Sequence, residues 1–304
     1  THIPFDNTAV VLSWLHWLQQ PENAKRPIEE VFNDWAPQSD RLVSEFGGTN
    51  CVGATKIFRE RLAQKGIESQ IIISPSNNLP EGVSDLEVLF QHAGLMVTTP
   101  DGNMYFVEPG LGLVVPVPAD NTSVEMADRI YQATATGDTG ELQVIKPDGS
   151  RVIYDFIYWP PDAPDIEQLV QKPLLRATTA FKIDVFSSEG EKRASIKIDL
   201  YREKITYLVN GVINAFDFDE VDQMFDTDSF TNLVQMIDHL SVESMKDRIR
   251  ETIDHKDDIV ETWLYGLQEQ FYLDNPDRLS PIETSWDKLQ ERGYKGGGVV
   301  IVLL

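Results

Sequence analysis

The single cysteine of the chain, Cys51, stands at the predicted start of a helix that ends near Gly66. At a helix start, unpaired backbone N–H groups and the positive end of the helix dipole both favour a thiolate over a thiol. The preceding pair, Gly47 and Gly48, leaves room for a substrate carbonyl and for N–H groups that bind an oxyanion. We therefore predict an oxyanion loop of Gly47, Gly48 and Asn50. A lone cysteine is also a common small buried apolar residue, so the thiol needs partners.

A predicted hairpin carries the candidate partners. A strand that begins at His92 leads into the sequence Pro-Asp-Gly at residues 100–102, and a second strand follows. The proline presets the first turn dihedral, and the glycine takes the left-handed position that forms a bulge. We expect Thr99 and Asn103 to close this three-residue loop, which fixes the register of the two strands.

That register places His92 and Glu108 on one face of the hairpin as diagonal neighbours. Glu108 then lies opposite Gly94 and His92 opposite Gly110, and the two glycines leave the space between imidazole and carboxylate open. An even-numbered loop would put the two side chains on opposite faces. In the predicted arrangement His92 deprotonates Cys51 or holds it as an ion pair, and Glu108 orients the imidazole. The alternative is a hydrogen-bonded strand histidine with a solvated glutamate at a strand end.

Composition restricts the class of protein. With 304 residues, 41% of them hydrophobic, the chain is long enough for two or three packed units. A single cysteine excludes an intramolecular disulfide and is typical of a cytoplasmic protein. The formal net charge of -23 argues against nucleic acid as a partner. No apolar run approaches the ~18 residues of a membrane span, and we predict neither a membrane segment nor a metal site.

Hydrophobic periodicity predicts an α+β fold. A helical N-terminal part leads to the Cys51 helix, which we expect to pack on antiparallel strands; a strand-rich middle and a mixed helical end follow. The proline cluster at 160–164 and the acidic stretch near 217–228 are candidate linkers. The predicted helices cover about 9–20, 27–35 and 51–65, with helical spacing again over 220–271; the predicted strands cover 71–73, a hairpin over 91–113, and runs near 141–158, 179–186, 194–201 and 204–216, with a loop at 74–85.

Three motifs resemble the arylamine N-acetyltransferase family, within the wider transglutaminase-like and papain-like cysteine superfamily. HIPFDNT (residues 2–8), FGGTNC (46–51) and YFVEPGLG (105–112) occur in the family's order and are similar to its IPFEN segment, its RGGxC nucleophile loop and its YLVDVGFG strand. The resemblance covers about residues 1–115. It implies a nucleophile at Cys51, a base at His92 and an orienting acid at Glu108.

The resemblance also implies a domain plan and a substrate pocket. It predicts a catalytic core at 1–115, a β-barrel-like domain at 116–216 and a helical, lid-like region at 217–304. Phe46 stands where the family has a loop arginine, and Leu111 replaces an aromatic residue of the acceptor pocket. We name Phe46, Leu111 and Phe5 as candidates that line the pocket.

The activity implied is a ping-pong acyl transfer through an acyl-cysteine. The donor would be a coenzyme A or carrier-bound thioester, the acceptor a small amine or alcohol, and an acyl-carrier protein is a further candidate partner; no tightly bound cofactor is expected. GTNCVGATKIFRERLAQKGI with QHAGLMV is also similar to transglutaminase-like proteins. An amide-forming or hydrolysing cysteine enzyme therefore stays an alternative, as does a non-catalytic module that keeps the fold.

Overall fold

The computed structural model describes most of the chain up to residue 262. Its described residues fall into two units: Ile3, Phe186 and those of 51–167 form the first, and those of 5–50, 168–185 and 192–262 form the second. Among them, no helix combines the length and the apolar character needed to cross a membrane. The described residues are 3, 5–75, 90–126, 128–136, 139–159, 165–171, 180–186, 192–200, 202–237 and 240–262.

The first unit contains an eight-stranded antiparallel sheet whose strand order is β5-β4-β3-β2-β9-β8-β7-β6. Strand β5 lies against β7, so the sheet curls into a nearly closed barrel. Alternate residues of its strands, such as Phe106, Val115, Tyr131 and Phe156, point inward and form the core. The strands are β2 (Glu68–Pro75), β3 (Phe90–Thr98), β4 (Met104–Glu108), β5 (Leu113–Val117), β6 (Val124–Met126), β7 (Arg129–Thr136), β8 (Thr139–Ile145) and β9 (Arg151–Tyr158).

One helix of this unit, α4 (Cys51–Gln64), packs on β2 and β3. Its first seven residues include a buried set led by Cys51 and Val52, while its later turns are largely exposed. The helix ends as predicted at Gly66, whose φ of 70° is the left-handed conformation of a helix C-terminus. The backbone N–H of Ile67 then donates to the carbonyl of Leu62 at 3.0 Å, which closes the last turn.

The hairpin of β3 and β4 has the predicted register. Leu95 pairs with Val107 and Thr98 with Met104, and the same register carries Gly94 to the position opposite Glu108. Strand β4 ends at Glu108 and Gly110 lies in the turn that follows, so the predicted pairing of His92 with Gly110 is wrong. The N–H of Thr99 donates to the carbonyl of Asn103 at 2.9 Å, and the odd-numbered loop between them is therefore confirmed.

The second unit contains a five-stranded sheet in the order β1-β10-β11-β12-β13. Trp14, Phe32 and Trp35 form an aromatic cluster among its N-terminal helices, with ring centroids 5.1–5.7 Å apart. Its strands are β1 (Phe5–Asp6), β10 (Ala180–Phe186), β11 (Lys192–Asp199), β12 (Lys204–Val209) and β13 (Val212–Asp217); its helices are α1 (Asn7–Leu18), α2 (Ile28–Asp34), α3 (Ser39–Phe46), α5 (Val221–Phe225), α6 (Asp228–Gln235) and α7 (Val242–Asp254).

The structure agrees with the predicted mixture of helices and sheets and contains a barrel-like sheet. It adds α3, β1, β5, β6 and β7, which hydrophobic periodicity did not indicate. The strands that carry His92 and Glu108 belong to the barrel-like sheet itself. The three-domain division at 115 and 216 stays a prediction. The predicted loop at 74–85 is wrong for Ser74 and Pro75, which belong to β2. The rest of that loop, the proline cluster at 160–164 and the helical pattern beyond 262 lie outside the described residues.

Candidate active site

Cys51 is the first residue of α4, as the sequence predicted. Its thiol is free and 5% exposed. Because the first four N–H groups of a helix have no acceptor within the helix, the sulfur lies where a negative charge is stabilised.

His92, on β3, lies between Cys51 and Glu108. Its imidazole is hydrogen-bonded through Nε2 to Oε2 of Glu108. The Cys51 thiol is close enough to the ring for its charge and a hydrogen bond to raise the pKa of His92. The His92 side chain is 35% exposed, so solvent reaches the ring while its two partners are buried. The structure thus brings the three residues predicted as a triad next to one another within the first unit.

Glu108 ends β4 and is only 1% exposed. Its Oε2 is engaged by His92, and its Oε1 accepts from the backbone N–H of Gly110 at 3.3 Å. Space for the carboxylate comes from Gly94, as predicted: a Cβ there would lie 3.6 Å from Oε2 of Glu108 and 2.9 Å from the carbonyl oxygen of Val107. A buried carboxylate with both oxygens hydrogen-bonded is held in one orientation.

The protonation of His92 is set by opposing effects. Burial lowers the pKa of His92, but the charges of Glu108 and Cys51 and the hydrogen bonds to both raise it, and the net pKa lies well above the ordinary value of 6.5. Both neighbours therefore favour the imidazolium over the neutral ring. A protonated imidazole beside a thiol favours a thiolate–imidazolium pair, which is the reactive form of a cysteine nucleophile.

The other residues named from the sequence are divided between the two units. Leu111 follows β4 in the first unit, where it is half-buried and packs against the barrel core. In the second unit, Phe46 ends α3 and is 7% exposed, and Phe5 begins β1. Their part in a substrate pocket stays a prediction.

The predicted oxyanion loop also belongs to the second unit. Gly47 terminates α3 with a φ of 77°, a conformation that requires glycine or strain. Gly48 is buried, and the side-chain amide of buried Asn50 donates to the carbonyl of Val170 at 2.8 Å. The role of these residues in binding an oxyanion stays a prediction.

Sequence patterns did not single out Arg248, which is 6% exposed and pairs with buried Asp6 at 3.0 Å. A signal was present: Arg248 falls among the buried residues Met245, Ile249 and Thr252 on the apolar face of α7. An arginine at a core-facing position of a helix must be paired. Its partner, 242 residues away in the chain, gives no local signal.

The described part of the chain brings together no group of three or more His, Cys, Asp and Glu side chains that could hold a metal ion.

Several solved structures are similar to this chain. The chain is similar to an arylamine N-acetyltransferase of Mycobacterium smegmatis (17% identity, 82% of this chain and 86% of that chain, TM-score 0.48). It is similar also to the Mycobacterium marinum enzyme in complex with CoA (17% identity, 82% and 88%, TM-score 0.45). A third is a Bacillus cereus arylamine N-acetyltransferase described as having a Cys-His-Glu catalytic triad (15% identity, 77% and 84%, TM-score 0.45). No protein-family model and no curated protein matches the sequence.

Proposed function

We propose that this chain is a cysteine acyltransferase in which Cys51 is the nucleophile, His92 the general base and acid, and Glu108 the residue that orients His92. The observation that carries the proposal is an imidazole that is hydrogen-bonded to a buried carboxylate and lies beside the only thiol of the sequence. A cysteine that only filled a core position would not require a neighbouring histidine whose ring is oriented by a buried glutamate.

The first half-reaction transfers the acyl group to the enzyme. The Cys51 thiolate attacks the carbonyl carbon of a thioester, coenzyme A-linked or carrier-bound, and a tetrahedral oxyanion forms. The backbone N–H groups in the first turn of α4, that of Cys51 among them, are the proposed donors for that oxyanion. The carbon–sulfur bond of the donor then breaks, the imidazolium of His92 gives its proton to the departing thiolate, and acyl-cysteine remains.

The second half-reaction needs His92 as a base, and the first half-reaction prepares it. Acylation removes the negative charge of Cys51, one of the effects that raise the pKa of His92. The pKa of His92 therefore falls in the acyl-enzyme, and the neutral imidazole accepts a proton from an amine or hydroxyl acceptor as it attacks. The thiolate leaves, the acylated acceptor departs, and the imidazolium pair is restored.

Intact mass spectrometry tests the proposal. The folded protein is incubated with acetyl-, propionyl- and longer acyl-CoA and with the corresponding N-acyl-cysteamine thioesters, which lack the nucleotide. We expect one acyl adduct per chain in the wild type and none in Cys51→Ala. Addition of an amine or alcohol acceptor should remove the adduct and form an equal amount of acylated product. A matched control is His255→Gln, a histidine of the second unit outside the triad, which should acylate as the wild type does. If the folded protein forms no adduct with any thioester, acyl transfer from thioesters is the wrong function.

A glutamine-containing peptide distinguishes the transglutaminase-like alternative with the same nucleophile. Release of ammonia and an adduct from that peptide, without any reaction with thioesters, would assign an amide donor instead. Loss of both reactions, with an iodoacetamide rate no greater than that of the unfolded chain, would leave only a non-catalytic module.

A further inference from the structure

Arg248 is the buried cation of α7 in the second unit. It is 6% exposed and lies on the helix face that also carries Met245 and Ile249. Burial lowers the pKa of Arg248, and the charge of Asp6 raises it; the net shift is downward. A guanidinium is kept in such a place only where its donors are matched by acceptors.

The donors of Arg248 reach two separate parts of the chain. Nη1 donates to Oδ2 of Asp6 at 3.0 Å, and Nη2 donates to the backbone carbonyl of Phe46. The guanidinium carbon also lies 5.6 Å from the centroid of the Phe46 ring. The planar guanidinium of Arg248 therefore forms hydrogen bonds with the end of α3 and with the residue before α1 at the same time.

Asp6 also forms hydrogen bonds with residues at the start of α1 and with Thr49. Its Oδ1 accepts from the N–H of Ala9 at 3.1 Å and from the hydroxyl of Thr8 at 2.5 Å, which caps α1. Its own N–H donates to the carbonyl of Thr49 at 2.9 Å. Burial raises the pKa of Asp6, and Arg248 lowers it; the net shift is upward, so without Arg248 this carboxyl would be further disposed to take up a proton.

The segment 46–50 is thus held at three points, namely the carbonyl of Phe46 by Arg248, the carbonyl of Thr49 by Asp6, and the side chain of Asn50 by Val170. Within this segment, the backbone of Gly47 adopts a left-handed conformation. Cys51 follows Asn50 directly in the sequence.

We propose that Arg248 is a positioning residue for the nucleophile. Together with Asp6 it fixes the backbone of residues 46–50, the segment that directly precedes Cys51. This rests on the proposed function of Cys51. The guanidinium that holds the end of α3 is contributed by α7. Helix α7 is on this account required for acylation although it supplies no reacting group.

Two arginines of α7 provide a matched comparison. Arg248→Met keeps the length of the side chain and removes the charge and donors, whereas Arg250→Met removes an exposed arginine that pairs with Asp222 at 2.8 Å. Hydrogen exchange of the backbone amides of residues 46–50 and the single-turnover rate of Cys51 acylation are measured for both, below the melting temperature of each.

The expected result is faster exchange at residues 46–50 and at least a tenfold slower acylation in Arg248→Met, with Arg250→Met equal to the wild type in both. The acceptor KM and the pH profile, which His92 sets, should stay unchanged. A folded Arg248→Met with wild-type exchange in this segment, or with faster exchange but wild-type acylation, would overturn the proposal.

A second variant keeps the test decisive if Arg248→Met does not fold. Arg248→Lys retains the charge but cannot present two coplanar donors, so we expect it to fold and to show the same two changes in smaller degree. Wild-type exchange and acylation in this folded variant would also overturn the proposal. If the wild type itself is not acylated by any thioester, the proposed function fails, and the exchange comparison alone decides whether Arg248 fixes the segment.

Discussion

The carboxylate of Glu108 is the most constrained group of the candidate centre. It is 1% exposed, and its two oxygens have separate partners, the imidazole of His92 and the N–H of Gly110. Such a carboxylate can fix which nitrogen of the imidazole faces the thiol and can stabilise the imidazolium without exchanging its partner for water. Its importance is therefore testable by changing its charge alone.

Glu108→Gln keeps the size and shape of the side chain and removes its charge. Because a neutral amide does not stabilise the imidazolium, we expect acylation of Cys51 to fall about 10²- to 10⁴-fold, measured as the single-turnover rate with an acyl thioester. Glu125→Gln, an exposed glutamate on β6, is the control and should match the wild type. An acylation rate of Glu108→Gln within about threefold of the wild type would remove Glu108 from the triad.

The titration of His92 gives a second test at this scale. Cys51→Ala removes the Cys51 charge and the Cys51 hydrogen bond, both of which raise the pKa of His92. Since a negative neighbour stabilises the protonated ring, its loss must lower the pKa of His92. We expect the NMR titration midpoint of the His92 ring to lie above 6.5 in the wild type and to move downward in Cys51→Ala. An unchanged or higher midpoint would show that thiol and imidazole do not interact.

At the scale of elements, the register of the hairpin of β3 and β4 determines whether His92 and Glu108 can interact. Its register follows from a local signal, the Pro-Asp-Gly turn, in which Gly102 has a φ of 85°. Gly94 then has a second task, because its missing side chain leaves space beside the Glu108 carboxylate. The two glycines of this hairpin thus serve different purposes, one in the turn and one at the site.

Substituting each glycine by alanine separates these purposes. At Gly94 a Cβ would lie 2.9 Å from the carbonyl oxygen of Val107, so the strands must shift beside Glu108; we expect ~1–3 kcal/mol of destabilisation and loss of most acylation. At Gly102 a Cβ meets nothing within 4 Å, and only the left-handed backbone is strained, which costs ~1–2 kcal/mol and leaves acylation near wild type. Denaturant unfolding and single-turnover rates check both, and equal activity of the two variants would contradict this division.

These elements also show which parts of the fold could be predicted from the sequence and which could not. The Cys51 helix, its glycine stop and the hairpin were predictable because each depends on neighbours in the chain. Strand β1 was not, since its two residues pair with Asp184 and Ile183 of β10, far along the chain. Helix α3 was missed because SDRLVSEF has few apolar residues to reveal a period. The contact of Arg248 with Phe46 spans 202 residues, and only the fold reveals it.

For the whole molecule, the dominant property is charge: 49 acidic residues against 26 basic ones give a formal net charge of -23. A field of this sign repels polyanions until salt screens it, and the screening length is about 10 Å at 0.1 M ionic strength. Coenzyme A thioesters carry several phosphate charges, whereas N-acyl-cysteamine thioesters carry none. The two kinds of donor should therefore respond differently to salt.

We expect kcat/KM for an acyl-CoA to rise several-fold between 10 and 200 mM NaCl, because screening removes the repulsion that slows encounter. The value for the neutral thioester should stay constant within about twofold, which also controls for any effect of salt on the chemistry of Cys51 and His92. Steady-state rates with both donors at matched pH provide the measurement. If kcat/KM for acyl-CoA instead falls with salt, local basic side chains attract its phosphates more strongly than the whole chain repels them, and the net charge does not govern the choice of donor.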